Sequence, residues 1–503
     1  MSVNTKLPEE FVKLMEASVG MEASNIFIGR FNCCESDGAG RSGVTSIRIN
    51  PFKDNCSILE GLSCTYELER VKWCSNGYYL NERPVFTLDP LFHAGAYYVQ
   101  EASSMYMELV QKSIEADCLR RNGDGEFFGK DLCCLDLCAA PGGKSTHLAS
   151  LIGKDSILVS NEVIRSRATV LADNIAKWGA DNVVVTNNDP SDFKAFAGYF
   201  NLIVVDAPCS GEGLFIKEPE AINEWSLANV NLCAQRQQRI LADIWPALAP
   251  GGYLVYSTCT YNKFENDGNL LFLRDVLGAE IIPVLLPEGS SIITTSCKGV
   301  QFVPGLVEGE GQFMAIVRKP FDEDIAGKFG GDESYGKMEL RGSKKELRGK
   351  KGGKGDQTVV ERGCNYLPSG YKMILQGELV KGYRETVYEK VRFVEANLRV
   401  VLSGIAVATK KGKDYVPHAD FALQKVVSQM AAEDKLPAGI FSVEVGKEEA
   451  LKFLAKEPVV FPDAPLGYVL LTYGGLGLGF VKNLGNRTNN LLPMARRIRM
   501  QIG

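Results

Sequence analysis

Histidine is almost missing from this sequence: His93, His147 and His418 are the only three in 503 residues. With so few imidazoles a His-rich metal centre is excluded, and a thiol–imidazole dyad is improbable chemistry. C-x-x-C pairs are absent altogether, although the chain has 14 cysteines, which excludes a zinc ribbon or a thioredoxin-like site. Cys33–Cys34 and Cys133–Cys134 are neighbours in sequence, poor geometry for ordinary disulfides. No apolar run approaches the ~18 residues of a membrane span. Glu9 and Glu10 lie where a secretory leader would need an apolar core. A reduced, cytoplasmic protein without a membrane partner is the expectation. Excess charge is lacking too: the formal net charge of -5 announces no polyanion, and any such partner must be read from local patches. No internal repeat is present.

What is present suggests about two to four domains for this length. Residues 8–17 read as a helix through Phe11, Leu14 and Met15, followed by a loop through ESDGAGRSG. Thr45, Ile47 and Ile49 alternate with Ser46, Arg48 and Asn50, predicting a half-buried strand that stops at Pro51. A strand-rich piece with Trp73, Tyr78 and Tyr79 follows. The segment from Asp89 to Met105 then leads into a helix containing Met107, Leu109 and Val110. From Leu132 the pattern changes. Apolar runs at 132–137, 157–159, 183–185, 202–205 and 253–256 alternate with helical stretches, the longest starting at Leu227 and ending near Pro246. Runs of this kind predict an α/β fold, a doubly wound and mostly parallel sheet buried on both faces. Residues 281–286 and 313–317 are candidates for its closing strands. The expected division is an N-terminal α+β extension (1–125), a core (126–320), a basic linker (321–362) and a C-terminal β region (363–503). Within the linker, RGSKKELRGKKGGK carries seven basic residues, one acidic and four glycines, the composition of a tether or of a binding arm.

Four turns in fixed order mark the core: CAAPGGK, NEV, DAPCSGEG and STCTYN. Each follows an apolar run. A strand, a Gly-containing turn and a helix bring backbone amides and a positive helix end to a ligand. The turn is not G-x-G-x-x-G, so dinucleotide pyrophosphate binding is not specifically encoded. Glu162 ends the next strand, where an acid can take both ribose hydroxyls. Asp189 lies just past the third strand and Asp206 ends the fourth. A ligand with a ribose and an adenine across the strand ends accounts for these acids together; any one alone could be a cap. Cys209 and Cys259 sit in polar turns beyond two different strands, where packing gives no reason for a thiol. A thiolate there can attack C6 of a pyrimidine, turning C5 into a carbon that accepts a methyl group, with Asp206 placed to assist near N3.

These motifs resemble the Sun-type (NSUN) family of RNA 5-methylcytosine methyltransferases. GAYYVQEASSM and YGGLGLGFVKNLGNRTNN resemble its bacterial branch, the RsmF type, which acts on 16S ribosomal RNA. The resemblance implies a Rossmann-like core using S-adenosylmethionine and a C-terminal PUA-like RNA-binding domain. It implies that Cys138, Ala139, Ala140, Pro141, Gly142, Gly143 and Lys144 hold the methionine end of the cofactor. Glu162 would bind its ribose, Asp189 would lie by its adenine, and Asp206 would lie between methyl donor and base. Cys259 is implied as the nucleophile and Cys209 as the group that assists product release. In DNA cytosine methyltransferases the attacking Cys follows a Pro in the fourth-strand turn, the place of Cys209 here. Position alone therefore points to Cys209, and the resemblance to Cys259. Transfer RNA methylation by the same chemistry and a non-catalytic ribosome-assembly factor are the alternatives; a monomer that binds RNA and not DNA is expected.

An unstacked cytosine must be presented to such a site. Lys217 is a candidate phosphate contact or a solvated lysine. Tyr97, Tyr98 and Gln100–Ser104 are candidates for the site wall. Lys482, Arg487, Arg496, Arg497 and Arg499 could follow a phosphate backbone. Relatives should carry a histidine just ahead of the GEG turn, where this chain has Pro304-Gly305-Leu306.

Overall fold

Five parallel strands make the middle of a ten-stranded sheet. In spatial order they are Leu248–Thr258, Phe200–Asp206, Cys133–Asp136, Ile157–Asn161 and Val183–Thr186. The computed structural model describes residues 6–36, 45–53, 55–321, 357–359 and 364–501. The strands read as unbroken apolar runs because both faces are covered. Leu135, Val159, Val184 and Ile203 pack on one side, and Cys134, Leu158, Val185 and Leu202 on the other. Gln312–Arg318 joins antiparallel at one edge, with Val300–Phe302 beyond it and Glu280–Ile282 also pairing with it, so the expected closing strands are present.

The chain runs outward from Cys133–Asp136 to Val183–Thr186, then jumps back to Phe200–Asp206 on the opposite side. The strand order reverses there. In open α/β sheets the crevice outside the carboxyl ends at such a reversal is where ligands bind. Three of the four motif turns open into it from strand ends: CAAPGGK, DAPCSGEG and STCTYN.

The flanking regions depart from expectation in instructive ways. A second helix, Met21–Ser36, follows Glu9–Val19 where a loop was expected to begin, and the two pack through Phe11, Met15, Phe27 and Phe31. Most of ESDGAGRSG and nearly all of the basic linker lie outside the described residues. The strand Thr45–Ile49 is buried along its whole length, not on one face. Its polar side chains turn inward to partners: Arg48 to the core, and Ser46 Oγ to the Gln100 carbonyl at 2.7 Å.

The chain then forms a five-stranded sheet that begins with Gln357–Val359, inside the expected linker, and includes Tyr371–Gln376 and Ile405–Lys411, and a four-stranded sheet from Ile440–Glu444 to Thr488–Asn490. The expected helix lies at Lys447–Leu454. Three more, Tyr388–Asn397, Ala419–Ala422 and Lys425–Ala432, are short, and in sequence they were hidden among strands. Between the first two, Val400–Leu402 adds antiparallel to Val183–Thr186 and closes the other edge of the catalytic sheet. Val391 and Val394 join the core beneath it. Ile47, Tyr78 and Tyr97 of the N-terminal region share a core with Phe453, Val469 and Leu478 of the C-terminal one. No described helix is long and apolar enough to cross a membrane.

Candidate active site

The first turn is fixed by its own backbone. Ala139 N–H donates to the Asn161 carbonyl at 2.8 Å, Arg167 to the Ala140 carbonyl at 2.9 Å, and Asn174 to the Pro141 carbonyl at 2.9 Å. Gly142, at φ 116°, then starts the helix Gly143–Leu151. Lys144 projects from the first helical turn and donates to Asp206 Oδ2 at 2.8 Å. Asp206 Oδ1 accepts from Ser257 Oγ at 2.6 Å, and Ser257 from Tyr106 OH at 2.6 Å. Burial alone would lower the Lys144 ammonium, but Asp206, Tyr106 and Asp136 outweigh it and hold the group above its ordinary range.

Asp136 is the acid that sequence reasoning left without a role. It ends the strand before the turn and is 1% exposed. Its Oδ2 accepts from Ser145 Oγ at 2.6 Å, while Oδ1 has no hydrogen-bond partner. Burial pushes its carboxyl up to about 7 against the Ser145 bond, and Asp206 adds to the push. A lone acid inside an apolar strand was the available signal, because a buried carboxyl without full pairing is costly. Asp136, Cys138 to Pro141, Gly143, Lys144 and Asp206 line one cavity of about 160 Å³. An unpaired carboxyl oxygen and the start of a helix in one cavity fit a ligand with an ammonium or hydroxyl and a carboxylate, as S-adenosylmethionine has.

Glu162 and Asp189 lie outside that lining. Glu162 is buried; its Oε1 accepts the Ile164 N–H at 2.9 Å and Oε2 is 3.5 Å from Arg167. Asp189 caps the 3₁₀ turn Pro190–Phe196, accepting from Ser191 N–H at 3.0 Å in a capping box with Asp192. The structure thus shows both acids bound within their own turns.

Cys209 and Cys259 are brought together, with sulfurs 3.0 Å apart, because Asp206 and Ser257 are in register on adjacent parallel strands. Two buried glutamates hold the turns against each other. Glu212 accepts from Thr260 Oγ1 at 2.5 Å, from the N–H groups of Tyr261 and Asn262 at 2.8 and 3.1 Å, and from Asn262 Nδ2 and Trp225 Nε1. Glu265 accepts from Ser210 N–H at 3.0 Å, Asn262 Nδ2 at 2.8 Å and Gln237 Nε2 at 2.7 Å. Gly213 must lack a side chain, since a Cβ would stand 2.4 Å from the Gly311 carbonyl. Glu212 sits inside DAPCSGEG, and its presence there was the signal for it; Glu265 lies three residues past STCTYN. The Cys209 thiol is pushed well above its ordinary range by its hydrogen bond to Cys259, by burial and by Glu265.

The N-terminal region forms the opposite wall. Tyr98, Gln100, Glu101 and Ser104 line the cavity; Tyr97 does not, and its hydroxyl donates to Asp89. Arg48 donates to Gln100 Oε1 at 2.9 Å, to the Gly143 carbonyl at 3.2 Å and to Thr146 Oγ1 at 2.6 Å. Glu101 Oε1 accepts the Glu310 N–H at 2.7 Å, which ties the wall to the GEG turn. Lys217 is paired with Glu310 at 2.9 Å. His147 is remote from the two cysteines: it lies beside Cys74 and Glu108, held down to about 4 by burial and by Arg48. Arg496 is not available to a phosphate backbone as expected, because Asp173 and Asp420 each hold it at 2.6 Å.

Comparison with known proteins agrees with this geometry. The family model for 16S rRNA methyltransferase RsmB/F matches residues 129–318. That for the N-terminal domain of 16S rRNA methyltransferase RsmF matches 7–102, and that for the methyltransferase RsmF PUA domain matches 441–498. Ribosomal RNA small subunit methyltransferase F of Aeromonas hydrophila subsp. hydrophila is 30% identical over 516 residues, covering 97% of each chain. Its counterpart in Shewanella loihica is 29% identical over 476 residues, covering 89% of this chain and 88% of its own. Among solved structures, PH0851 shares the fold at TM-score 0.53 and 23% identity, over 62% of this chain and 66% of that one. A methyltransferase homolog protein from Pyrococcus horikoshii aligns at TM-score 0.50 and 25% identity, over 63% and 96%. The chain therefore belongs to the RsmF family of S-adenosylmethionine-dependent ribosomal RNA methyltransferases, as its motifs led us to expect.

Proposed function

We propose that this enzyme methylates C5 of a cytosine in 16S ribosomal RNA, in the cytoplasm, through a covalent bond between Cys259 and C6. The observation that carries the reading is the pair of sulfurs 3.0 Å apart, on turns that leave adjacent strands beside Asp206. The bound cofactor supplies the electrophilic methyl group. Residues 138–144 and Asp206 would hold it, with Glu162 at the ribose and Asp189 near the adenine, both released from their present turn contacts. Cys259 would add to C6 as a thiolate while N3 takes a proton from solvent relayed by Asp206. The methyl group would pass to C5 as its bond to the donor sulfur breaks, that sulfur keeping the electron pair. C5 would then lose its proton to a solvent base as the Cys259 sulfur leaves with the C6–S pair and the ring regains its double bond, and N3 would return its proton to solvent through Asp206. Cys209 assists that release. The hydrogen bond to Cys259 and burial hold the Cys209 thiol well above its ordinary range, so it resists ionisation.

The test is transfer of a radiolabelled methyl group to 16S RNA from a strain deleted for the enzyme, with bisulfite sequencing to locate the product. Cys259→Ala is expected to abolish transfer, and Cys209→Ala to accumulate a protein–RNA adduct on denaturing gels. Labelled product from Cys259→Ala would refute the assignment.

A further inference from the structure

A second, larger cavity of about 740 Å³ borders the STCTYN turn at Tyr261 and shares no other residue with the four motif turns. Its size is within the ~300–1,000 Å³ of sites that enclose small planar ligands. One wall is the helix Leu227–Ile244, which turns Asn231, Gln235 and Gln238 towards it. Spaced by four and then three, these amides share one helix face. None of them has a hydrogen-bond partner among the described residues. The opposite wall is the continuation of the Cys259 turn, where Lys263 and Phe264 are exposed, Phe264 41% so, with the Lys263 ammonium 6.0 Å from the centroid of the Phe264 ring. Asp267, the carboxylate on the lining, is already engaged by Thr295 and Ser296 at 2.6 Å each.

The cavity is tied to the catalytic turns through the same helix. Gln237, between the free amides, donates to the Pro208 carbonyl at 3.0 Å and to Glu265 at 2.7 Å. Cys233, one turn earlier, is buried on the same helix, and burial, then Glu265, raise its thiol. A strand of RNA whose target base is extruded towards Cys259 has unstacked neighbours that need somewhere to go. Unpaired amides that both donate and accept, an exposed ring and one lysine are what reads an unpaired base: edge, face and phosphate in turn.

We propose that this cavity is an RNA subsite that takes an unpaired base flanking the target cytosine. The amides of Asn231, Gln235 and Gln238 read its edge, Phe264 stacks on its face and Lys263 meets its phosphate. The proposal rests on the RNA methyltransferase reading above. It is independent of which sulfur attacks.

The experiment uses the full chain and deproteinised 16S RNA from the deletion strain. Phe264→Ala and the triple variant Asn231→Ala/Gln235→Ala/Gln238→Ala change exposed or half-exposed side chains and leave the core intact. Each is expected to raise KM for RNA by about tenfold or more, the effect of losing one base stack, with affinity for S-adenosylmethionine unchanged. A Gln235→Glu/Gln238→Glu variant should raise it at least as far. Cys297, on the cavity wall, reports occupancy directly. Its alkylation, followed by mass spectrometry, should slow when RNA is added. Unchanged KM in the alanine variants, with wild type active, overturns the subsite. So does protection of Cys297 only by assembled subunits and not by RNA, which would make the cavity a protein contact. A wild-type enzyme that labels no RNA would instead refute the function on which the subsite depends.

Discussion

Glu212→Gln should separate the two catalytic turns without touching either sulfur. The carboxylate accepts five donors: three at Oε2 and two at Oε1. An amide in its place turns one oxygen into a donor, which then faces at least two other donors. At ~1.5–3 kcal/mol for each hydrogen bond to a charged group, two lost bonds cost about 3–6 kcal/mol. That is a large part of the ~5–15 kcal/mol that typically holds a domain folded. The expected result is a clear fall in the urea midpoint and a loss of methyl transfer greater than the fraction unfolded explains. Affinity for S-adenosylmethionine should survive in the folded fraction, because the first turn is anchored separately by Asn161, Arg167 and Asn174. Glu212→Asp keeps the charge but shortens the reach, and should fall between. A Gln variant with wild-type midpoint and turnover would show that Glu212 does not hold the turns.

Three further outcomes follow from the same geometry. Arg48→Lys and Gln100→Ala should each weaken S-adenosylmethionine binding by about tenfold in calorimetry, since the first loses the bonds to Gly143 and Thr146 at the helix start and the second loses the acceptor that orients Arg48 towards them; unchanged affinity in a folded variant contradicts this. Asp136 has its folded carboxyl raised to about 7, so the stability it contributes is complete below the ordinary carboxylate range, is lost as pH climbs to about 7, and is flat above. In the cofactor-free enzyme the urea midpoint of wild type should therefore fall relative to Asp136→Asn between pH 5 and 7, and a constant difference would dispose of the claim. Arg496→Ala leaves Asp173 and Asp420 without their shared partner and should destabilise the protein by about 3 kcal/mol in chemical unfolding, with RNA affinity changed little once folding is corrected for; a stable variant with weak RNA binding would restore Arg496 as a phosphate contact.

The catalytic sheet was legible because a parallel strand covered on both faces leaves an unmistakable apolar run, as at Val183 or Leu202. The cysteine turns were legible because a thiol in a polar turn has no packing explanation. What could not be read was how distant segments would use their polar groups. Arg48 alternates with isoleucines as a solvent-facing residue would, yet it is 1% exposed, since its partners lie about a hundred residues away at Gly143 and Thr146. Arg496 looks like a nucleic-acid contact in a basic tail, until Asp173 and Asp420 are placed beside it. Tyr388–Asn397 was missed because it buries only Val391 and Val394, too few to mark a helical period, in a core shared by the central sheet and by Ile374 and Tyr383 of its own sheet.

The strand Val400–Leu402 has a temporal consequence. Its neighbour Arg399 is bonded twice to the Asn187–Asn188 turn: Asn187 N–H donates to the Arg399 carbonyl at 2.9 Å, and Arg399 N–H to the side-chain Oδ1 of Asn188 at 3.1 Å. Asn187 in turn grips the carbonyls of Glu162 and Val163. While the polypeptide is being synthesised, that sheet margin waits unpaired until the segment around residue 400 has left the exit tunnel. An enzyme whose substrate is the RNA of ribosomes thus completes the margin of its central sheet only after a segment 211 residues beyond that turn has been made.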